Sequence, residues 1–366
     1  MRILPNQVSL YVTRRTMTSV GGALLVLSAV IVLSNFVELT RAVNPAWGDV
    51  PAENLLGLAL LESPGVILVV MPFAFLFGVL IAFMNLNRRS ELIALRAAGV
   101  SAWRFVTPAA IAAAAIGVLT MTALNPIASE MSAAYTRLKA QMLDGPDAQH
   151  QTIWLRQGDR RRQTIIRARA TVGPGVHLKG VTLFVNKVAP DGRLLFDQRF
   201  EADDAVLRKR TWTLSGVRSF APGGLGIHSS KLELASDLDE HTALERFGTA
   251  NGVPFWSLPG AIARTEAAGI SATAYRLQLQ QLLATPLMYA AMSVLAAAFS
   301  LRLLRLGGMA QFAGSGVTLG FAFFFFNQLC SSLGKSDVLP PMVAAWTPPL
   351  MALLVGITLL CYTEDG

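Results

Sequence analysis

Six apolar stretches, each close to the length that crosses a lipid bilayer, constrain this chain more than any other feature. They run over Met17–Phe36, Pro64–Met84, Phe105–Ala123, Leu283–Ser300, Gly314–Leu329 and Met342–Cys361. About 20 predominantly apolar residues cross the hydrocarbon core as a helix. Inside lipid the backbone must bond to itself, so a helix is the form such a run takes. The composition fits, with 53% hydrophobic and only 15% charged residues. The first run is too long, and its exit too poor in small residues, for a removed leader, so it is expected to remain as a span. An integral membrane protein of six transmembrane helices is expected.

Local residues suggest where the spans begin and end. Ser63-Pro64 predicts the start of the second span, with proline at the first helical position. Asn125-Pro126 predicts the end of the third, and Pro340-Pro341 the start of the last. Pro72 predicts a kink within the second span. Trp103 and Trp346 suit the interfacial belt.

A polar segment of about 125–269 separates the first three spans from the last three, and it contains all four histidines, His150, His177, His228 and His241. Its pattern is that of strands. Val181, Leu183 and Val185 alternate with Thr182, Phe184 and Asn186. Turns are predicted at Ala189–Arg193 and Pro222–Gly224, and further strands at Leu194–Phe200, Ala202–Leu207, around Trp212 and Leu214, and at Lys231–Leu234. Many short strands with regular turns predict an all-β, jellyroll-like domain. From Ser257 helical periodicity resumes through Leu258, Ile262 and Glu266. The expected layout is residues 1–124 with three spans, 125–269 with the β domain, and 270–366 with three more. Cys330 and Cys361 fall at opposite ends of the last two spans, beyond disulfide range.

The net charge of +8 is not the mark of a nucleic-acid binder, because of where the charges fall. Arg2, Arg14, Arg15, Arg88, Arg89, Arg96, Arg104, Arg302 and Arg305 all flank spans on one side. The opposite short loops carry only Arg41 and Lys335. Positive residues concentrate on the cytoplasmic side. Both termini are thus expected in the cytoplasm, and the β domain outside the inner membrane.

Between the second and third spans, Arg88–Gly99 reads as a short helix of its own. Ser90 is placed to cap it, Glu91 lies in the first turn, Arg96 near the last, and Gly99 suits a left-handed C-terminal cap. A loop that only reverses the chain needs no such helix. It reads as a docking element for a soluble partner, or as an amphipathic piece lying on headgroups.

Signatures of catalysis are missing. There is no phosphate-cradling glycine loop, no His-Glu-x-x-His and no Gly-x-Ser-x-Gly, and no cofactor is implied. Polar residues near span ends are the remaining candidates. Asn35, Glu38 and Arg41 cluster at the outer end of the first span; Asn327 and Gln328 follow the aromatic run Phe323–Phe326 in the fifth. Asn327 and Gln328 either bond between helices, at about 1 kcal/mol each, or face a substrate. Arg41 either pairs with Glu38 or meets an anionic headgroup. Gly316 and Gly320 form a small-xxx-small stripe that permits close helix approach.

With these residues the chain resembles the LptF/LptG family of lipopolysaccharide-export permeases along nearly its whole length. The resemblance rests on Ser90–Gly99, Trp154-Leu155-Arg156-Gln157-Gly158, Gly180-Val181-Thr182-Leu183-Phe184, Asp191-Gly192-Arg193-Leu194, Trp212-Thr213-Leu214, Gly269–Leu277, Pro286 and Leu339-Pro340-Pro341, in that order. Asn35–Leu39, Gly269–Leu277, Gly320–Phe323 and Asn327-Gln328 are more similar to the LptG side. The resemblance implies a heterodimer with an LptF-like second permease, an LptB-like cytoplasmic ATPase dimer and a single-span, LptC-like periplasmic partner. It implies ATPase docking through Ser90, Glu91, Leu92, Leu95, Arg96 and Gly99, with Glu91 meeting an arginine. It further implies lipopolysaccharide contact through Asn35, Phe36, Glu38 and Arg41, and through Phe323, Phe324, Asn327 and Gln328. Relatives often carry lysine where this chain has Asn35, which shifts recognition from phosphate toward hydrophobic contact. Two other readings fit less well. A lipoprotein-release or efflux permease typically has four spans, with its outer domain after the first. A membrane-anchored β-ectodomain scaffold or sensor needs no six spans.

Overall fold

The computed structural model describes residues 5–43, 50–142, 152–158, 162–171, 176–188, 194–208, 210–220, 226–236, 253–267, 271–303 and 309–364. The expected turns at Ala189–Arg193 and Pro222–Gly224, and Arg2, His150, His241, Gly269 and Arg305, lie outside the described residues.

Helix α1 spans Pro5–Ala42, α2 Ala52–Arg88, α3 Glu91–Ala97 and α4 Trp103–Leu119. A π turn at Thr120–Leu124 joins α4 to α5, Asn125–Met142. After the β domain come α6 (Leu258–Ala267), α7 (Thr273–Leu303), α8 (Met309–Lys335) and α9 (Pro341–Glu364). Six of these segments are long and apolar enough to cross a membrane, with α4 and α5 counting as one. The last span opens at Pro341, as the proline pair predicts.

Two predicted boundaries move. Ser63-Pro64 does not open the second span, because α2 already begins at Ala52 and carries Pro64 and Pro72 inside it. Ser63 is buried, and its hydroxyl donates to the Ala59 carbonyl. Asn125-Pro126 does not end the third span either. Pro126 has no N–H for the carbonyl four residues back, at Thr122. That oxygen instead accepts the Trp256 indole N–H at 3.0 Å, while the Phe255 N–H donates to Asn125 Oδ1 at 3.0 Å. The chain returning from the β domain thus supplies the donor that proline lacks, and the helix runs on to Met142. Trp346 likewise does more than mark an interface: its indole donates to Gln280 Oε1 at 2.9 Å, tying α9 to α7.

The bundle core forms where α2, α4, α7 and α9 meet. Phe75, Phe83, Phe105, Tyr289 and Leu295 are almost fully buried in it, and Phe75 stacks on Tyr289 with centroids 4.7 Å apart. Small residues allow the close approach. A Cβ on Gly117 would lie 2.5 Å from the Pro286 Cα, and one on Gly78 2.4 Å from the Val20 Cα. A second apolar cluster, Leu39, Leu55, Leu58, Ala59 and Tyr135, joins α1, α2 and α5 at the end nearer the β domain.

The inserted domain is all-β, as expected: β1 (Thr152–Gly158), β2 (Arg162–Thr171), β3 (Val176–Val188), β4 (Leu194–Arg208), β5 (Thr211–Phe220) and β6 (Ile227–Ala235). Among the described residues the strands pair antiparallel in chain order, as a meander. One face buries Ile166, Leu183, Phe200, Trp212 and Leu214. The two strands predicted at Leu194–Phe200 and Ala202–Leu207 are one continuous strand. The inward phase switches from Phe200 and Ala202 to Ala205 and Leu207, and that break mimics a boundary. Neighbouring strands reset at the same level: β3 switches from Leu178 to Val181, and β5 from Leu214 to Val217. Gly180 and Gly216 sit at these resets with φ of 57° and 67°. The paired registers place Asp203 between them. Pairing lapses at Gly180 and Asp203 and opposite Gly216, and resumes in the same register on the far side.

Candidate functional site

Two candidate sites lie at opposite ends of the bundle. The first is α3, at the end where α1 begins and α9 finishes. Its C-terminal closure is as predicted. Gly99 has φ of 76°, its N–H donates to the Arg96 carbonyl, and the Val100 N–H reaches the Leu95 carbonyl. Ser90, however, does not cap the helix. Its φ is 58°, its side chain makes no capping bond, and its N–H donates to the Asn87 carbonyl. Only Arg89 and Ser90 separate α2 from α3, and so short a reversal requires a left-handed residue.

The side chains of α3 divide sharply. Leu92 is buried in the bundle core and Leu95 packs against it. Arg96 donates to the Thr363 carbonyl at 3.0 Å, at the end of α9. These three anchor the helix to its own chain and leave little for a partner. Ile93, 60% exposed, faces outward with Ala94, Ala97 and Ala98. The sequence reading missed this face. The signal was present, because an inward Leu92 and Leu95 turn Ile93, Ala94 and Ala97 out by helical phase. Glu91 sits at the rim, partly exposed, and its Oε2 accepts a hydrogen bond from the Tyr11 hydroxyl at 2.9 Å.

The second candidate lies toward the β-domain end. Phe36 packs on the Leu39–Leu58–Tyr135 cluster. It also lines an apolar groove of about 400 Å³ with Ser28, Ala29, Val32, Leu33 and Leu56. The Nδ2 of Asn35 is buried without a hydrogen-bond partner. Glu38 and Arg41 are exposed, and among the described residues no ion pair joins them. Arg41 stands about 7.5 Å beyond Phe36 along the helix axis.

On α8, Phe323 packs against the bundle core, while Phe324 is 40% exposed with its ring 6.0 Å from that of Phe73. Asn327 is half-buried and Gln328 exposed. A single chain does not bring the α1 and α8 residues together. α1 packs on α2 and α4, and α8 on α9, α7 and α2. Val20 of α1 meets Gly78 of α2, whereas Gly320 of α8 faces Phe77 and Leu76 of α2. So α2 stands between the two sets, and the small-residue stripe at Gly316 and Gly320 is spent on this contact within the chain. α1 is also unusually bare: 6% of its most apolar window is buried, against 50% for α2 and 56% for α7.

Neither site has the make-up of a reaction centre. Among the described residues no group of three His, Cys, Asp or Glu side chains converges to hold a metal. What the geometry provides is an exposed helix at one end and an apolar groove with a nearby cation at the other, a make-up suited to docking and lipid contact.

Comparison with known proteins identifies the family. The family model for the lipopolysaccharide export system permease LptF/LptG matches residues 10–362. The lipopolysaccharide export system permease protein LptG of Escherichia coli K12 is 22% identical, with 96% of each chain covered. Its counterpart in Escherichia coli O6:H1 matches to the same degree. With six membrane-capable helices, an inserted β domain and a family match over nearly its entire length, the chain belongs to the LptF/LptG family of lipopolysaccharide export permeases.

Proposed function

We propose that this protein is a permease subunit of an ATP-driven machine that extracts lipopolysaccharide from the inner membrane and passes it to a periplasmic bridge. The observation that carries this reading is the separation of the α1 and α8 faces by α2. Each face is an incomplete wall, and each is completed by the opposite face of a second, LptF-like permease. On this reading α1 of this chain and the fifth span of its partner form one opening, and the lipid enters sideways there. Acyl chains occupy the apolar groove beside Phe36. Arg41 meets the anionic part of the lipid, since guanidinium suits phosphate and carboxylate. Asn35 adds no charge, so hydrophobic contact dominates.

ATP hydrolysis comes from an LptB-like dimer that docks on α3 through the Ile93–Ala94–Ala97 face with Glu91 at its rim. Both termini and α3 are cytoplasmic, and the β domain is periplasmic, next to a single-span LptC-like partner. The arginines beside Arg88 and Arg104 support this orientation. The similarity to LptG-named relatives favours the LptG role over LptF.

The test is reconstitution of the chain with its second permease subunit and the ATPase. A photocrosslinker at Phe36, Arg41 or Asn327 is expected to capture lipopolysaccharide. One at Leu354, an exposed residue of the last helix, is expected not to. Equal capture at all four positions would mean that the α1 and α8 faces are lipid-exposed surface and no substrate path.

A further inference from the structure

One hydrogen bond bridges 80 residues of chain to join the foot of α1 to α3, from the Tyr11 hydroxyl to Glu91 Oε2 at 2.9 Å. Next to Tyr11 begins a narrow buried stripe, Val12, Thr16 and Val20, that seats the lower part of α1. Ser9 adds a second tie at the foot, its hydroxyl donating to the Arg104 carbonyl at the start of α4. Between Val20 and Leu39 no residue of α1 is fully buried, although Leu24 packs against the bundle core. A Cβ on Gly21 or Gly22 would meet nothing within 4 Å, and Leu25, Val26, Val30 and Leu33 are exposed. Burial returns at Leu39, beside the groove that Phe36 lines. α1 is thus a single continuous helix, most deeply buried along Val12, Thr16 and Val20 at its foot and again at Leu39. Tyr11 and Phe36 lie about 38 Å apart along it.

We propose that Tyr11 is a positioning residue that ties α3 to the foot of α1, so that movement of α3 reaches the α1 wall of the groove. The proposal rests on the reading of α3 as the ATPase-docking helix. Glu91 is shared between two tasks. Its Oε2 holds Tyr11, and its other oxygen remains for a cation on the docked partner. A hydrogen bond to a carboxylate is stronger than one between neutral groups, so a pull on Glu91 is passed on to Tyr11. Leu92 and Arg96 hold the rest of α3 to the core and to α9. Arg96 ties α3 to α9 alone, whereas the apolar cluster that seats Leu92 also takes in Val12 and Val20 of α1. Among the described residues, the Tyr11–Glu91 bond is the direct polar link between the docking helix and the helix that walls the groove.

The experiment uses the full complex and two readouts: ATPase retained on the purified permease, and lipid delivered per ATP hydrolysed. Tyr11→Phe keeps the ring and removes only the hydroxyl. It is expected to retain the ATPase within about twofold while lipid delivered per ATP falls at least about threefold, a loss in keeping with one charge-assisted hydrogen bond. Glu91→Ala is expected to lower ATPase retention. Tyr11→Phe added to Glu91→Ala is expected to lower lipid per ATP no further, because the acceptor is already gone. An unchanged lipid-to-ATP ratio in Tyr11→Phe overturns the tie. So does an equal loss in the presence and absence of Glu91, which would put the hydroxyl's partner elsewhere. Wild-type ATPase retention in Glu91→Ala overturns the docking role of Glu91 and leaves the Tyr11 result to be read separately.

Discussion

In β5, Gly216 holds φ of 67°, and a Cβ built on it would lie 2.3 Å from Asp203 Oδ2. Two penalties therefore act on Gly216→Ala: the left-handed angle, about 1–2 kcal/mol, and the clash. Asp203→Gly removes only the clash. The double variant is expected to recover part of the stability lost by Gly216→Ala, as read from protease resistance of the β domain in the full-length protein. Additive losses would show that the reset does not depend on this contact. Helix glycines divide the same way. Gly78→Ala drives a Cβ toward the Val20 Cα at 2.4 Å, where backbone must move, whereas Gly316→Ala meets only Leu80 Cδ1 at 3.0 Å. Overpacking costs typically 1–3 kcal/mol. Gly78→Ala is expected in that range and Gly316→Ala well below it, measured by thermal unfolding in detergent. The sequence pointed to Gly316 and Gly320 because they recur at helical spacing. Gly78 and Gly117 carry no such mark, since the tighter contact depends on which helix lies opposite.

At the scale of elements, α3 was legible as a helix but not as a surface. Its length, Glu91 and the Gly99 stop were visible in the chain. That Leu92, Leu95 and Arg96 point inward depends on where α2, α4 and α9 stand, and so the exposed face fell to Ile93, Ala94 and Ala97. Leu92→Ala is expected to cost about 2–5 kcal/mol of bundle stability, as for other buried leucines. Ile93→Asp is expected to leave thermal stability within about 0.5 kcal/mol, as at other surface positions, while reducing ATPase co-purification. Stable retention of the ATPase by Ile93→Asp would remove this face from the docking interface. The β4 strand makes a similar point. A change of inward phase at Asp203 reads as a boundary in a linear pattern, yet pairing resumes in the same register beyond it because its neighbours shift with it.

For the whole molecule, orientation and substrate path belong together. A cysteine at Asp337, exposed in the loop before α9, is expected to react with an impermeant thiol reagent added to intact spheroplasts. One at Arg89 is expected to react only after the inner membrane is opened. The reverse pattern would invert the topology. Arg41→Ala is expected to lower export only in part, because the groove beside Phe36 is apolar. Export abolished by Arg41→Ala and untouched by Phe36→Ala would mean that charge, and not the groove, governs recognition.

The six spans, the inserted β domain, the short helix between the second and third spans and the family were all present in the linear sequence. Each follows from local information: run length, alternation period, or residues in fixed order. Tertiary structure alone decided that the third span continues past Pro126, because the missing N–H is replaced by Trp256 from beyond the β domain. It also decided which face of α3 is free, and that the α1 and α8 candidates stand on separate flanks of α2. The reason is common to all three. Satisfying an orphaned carbonyl, burying a leucine or separating two helices depends on neighbours distant in the chain, and no window of adjacent residues contains them.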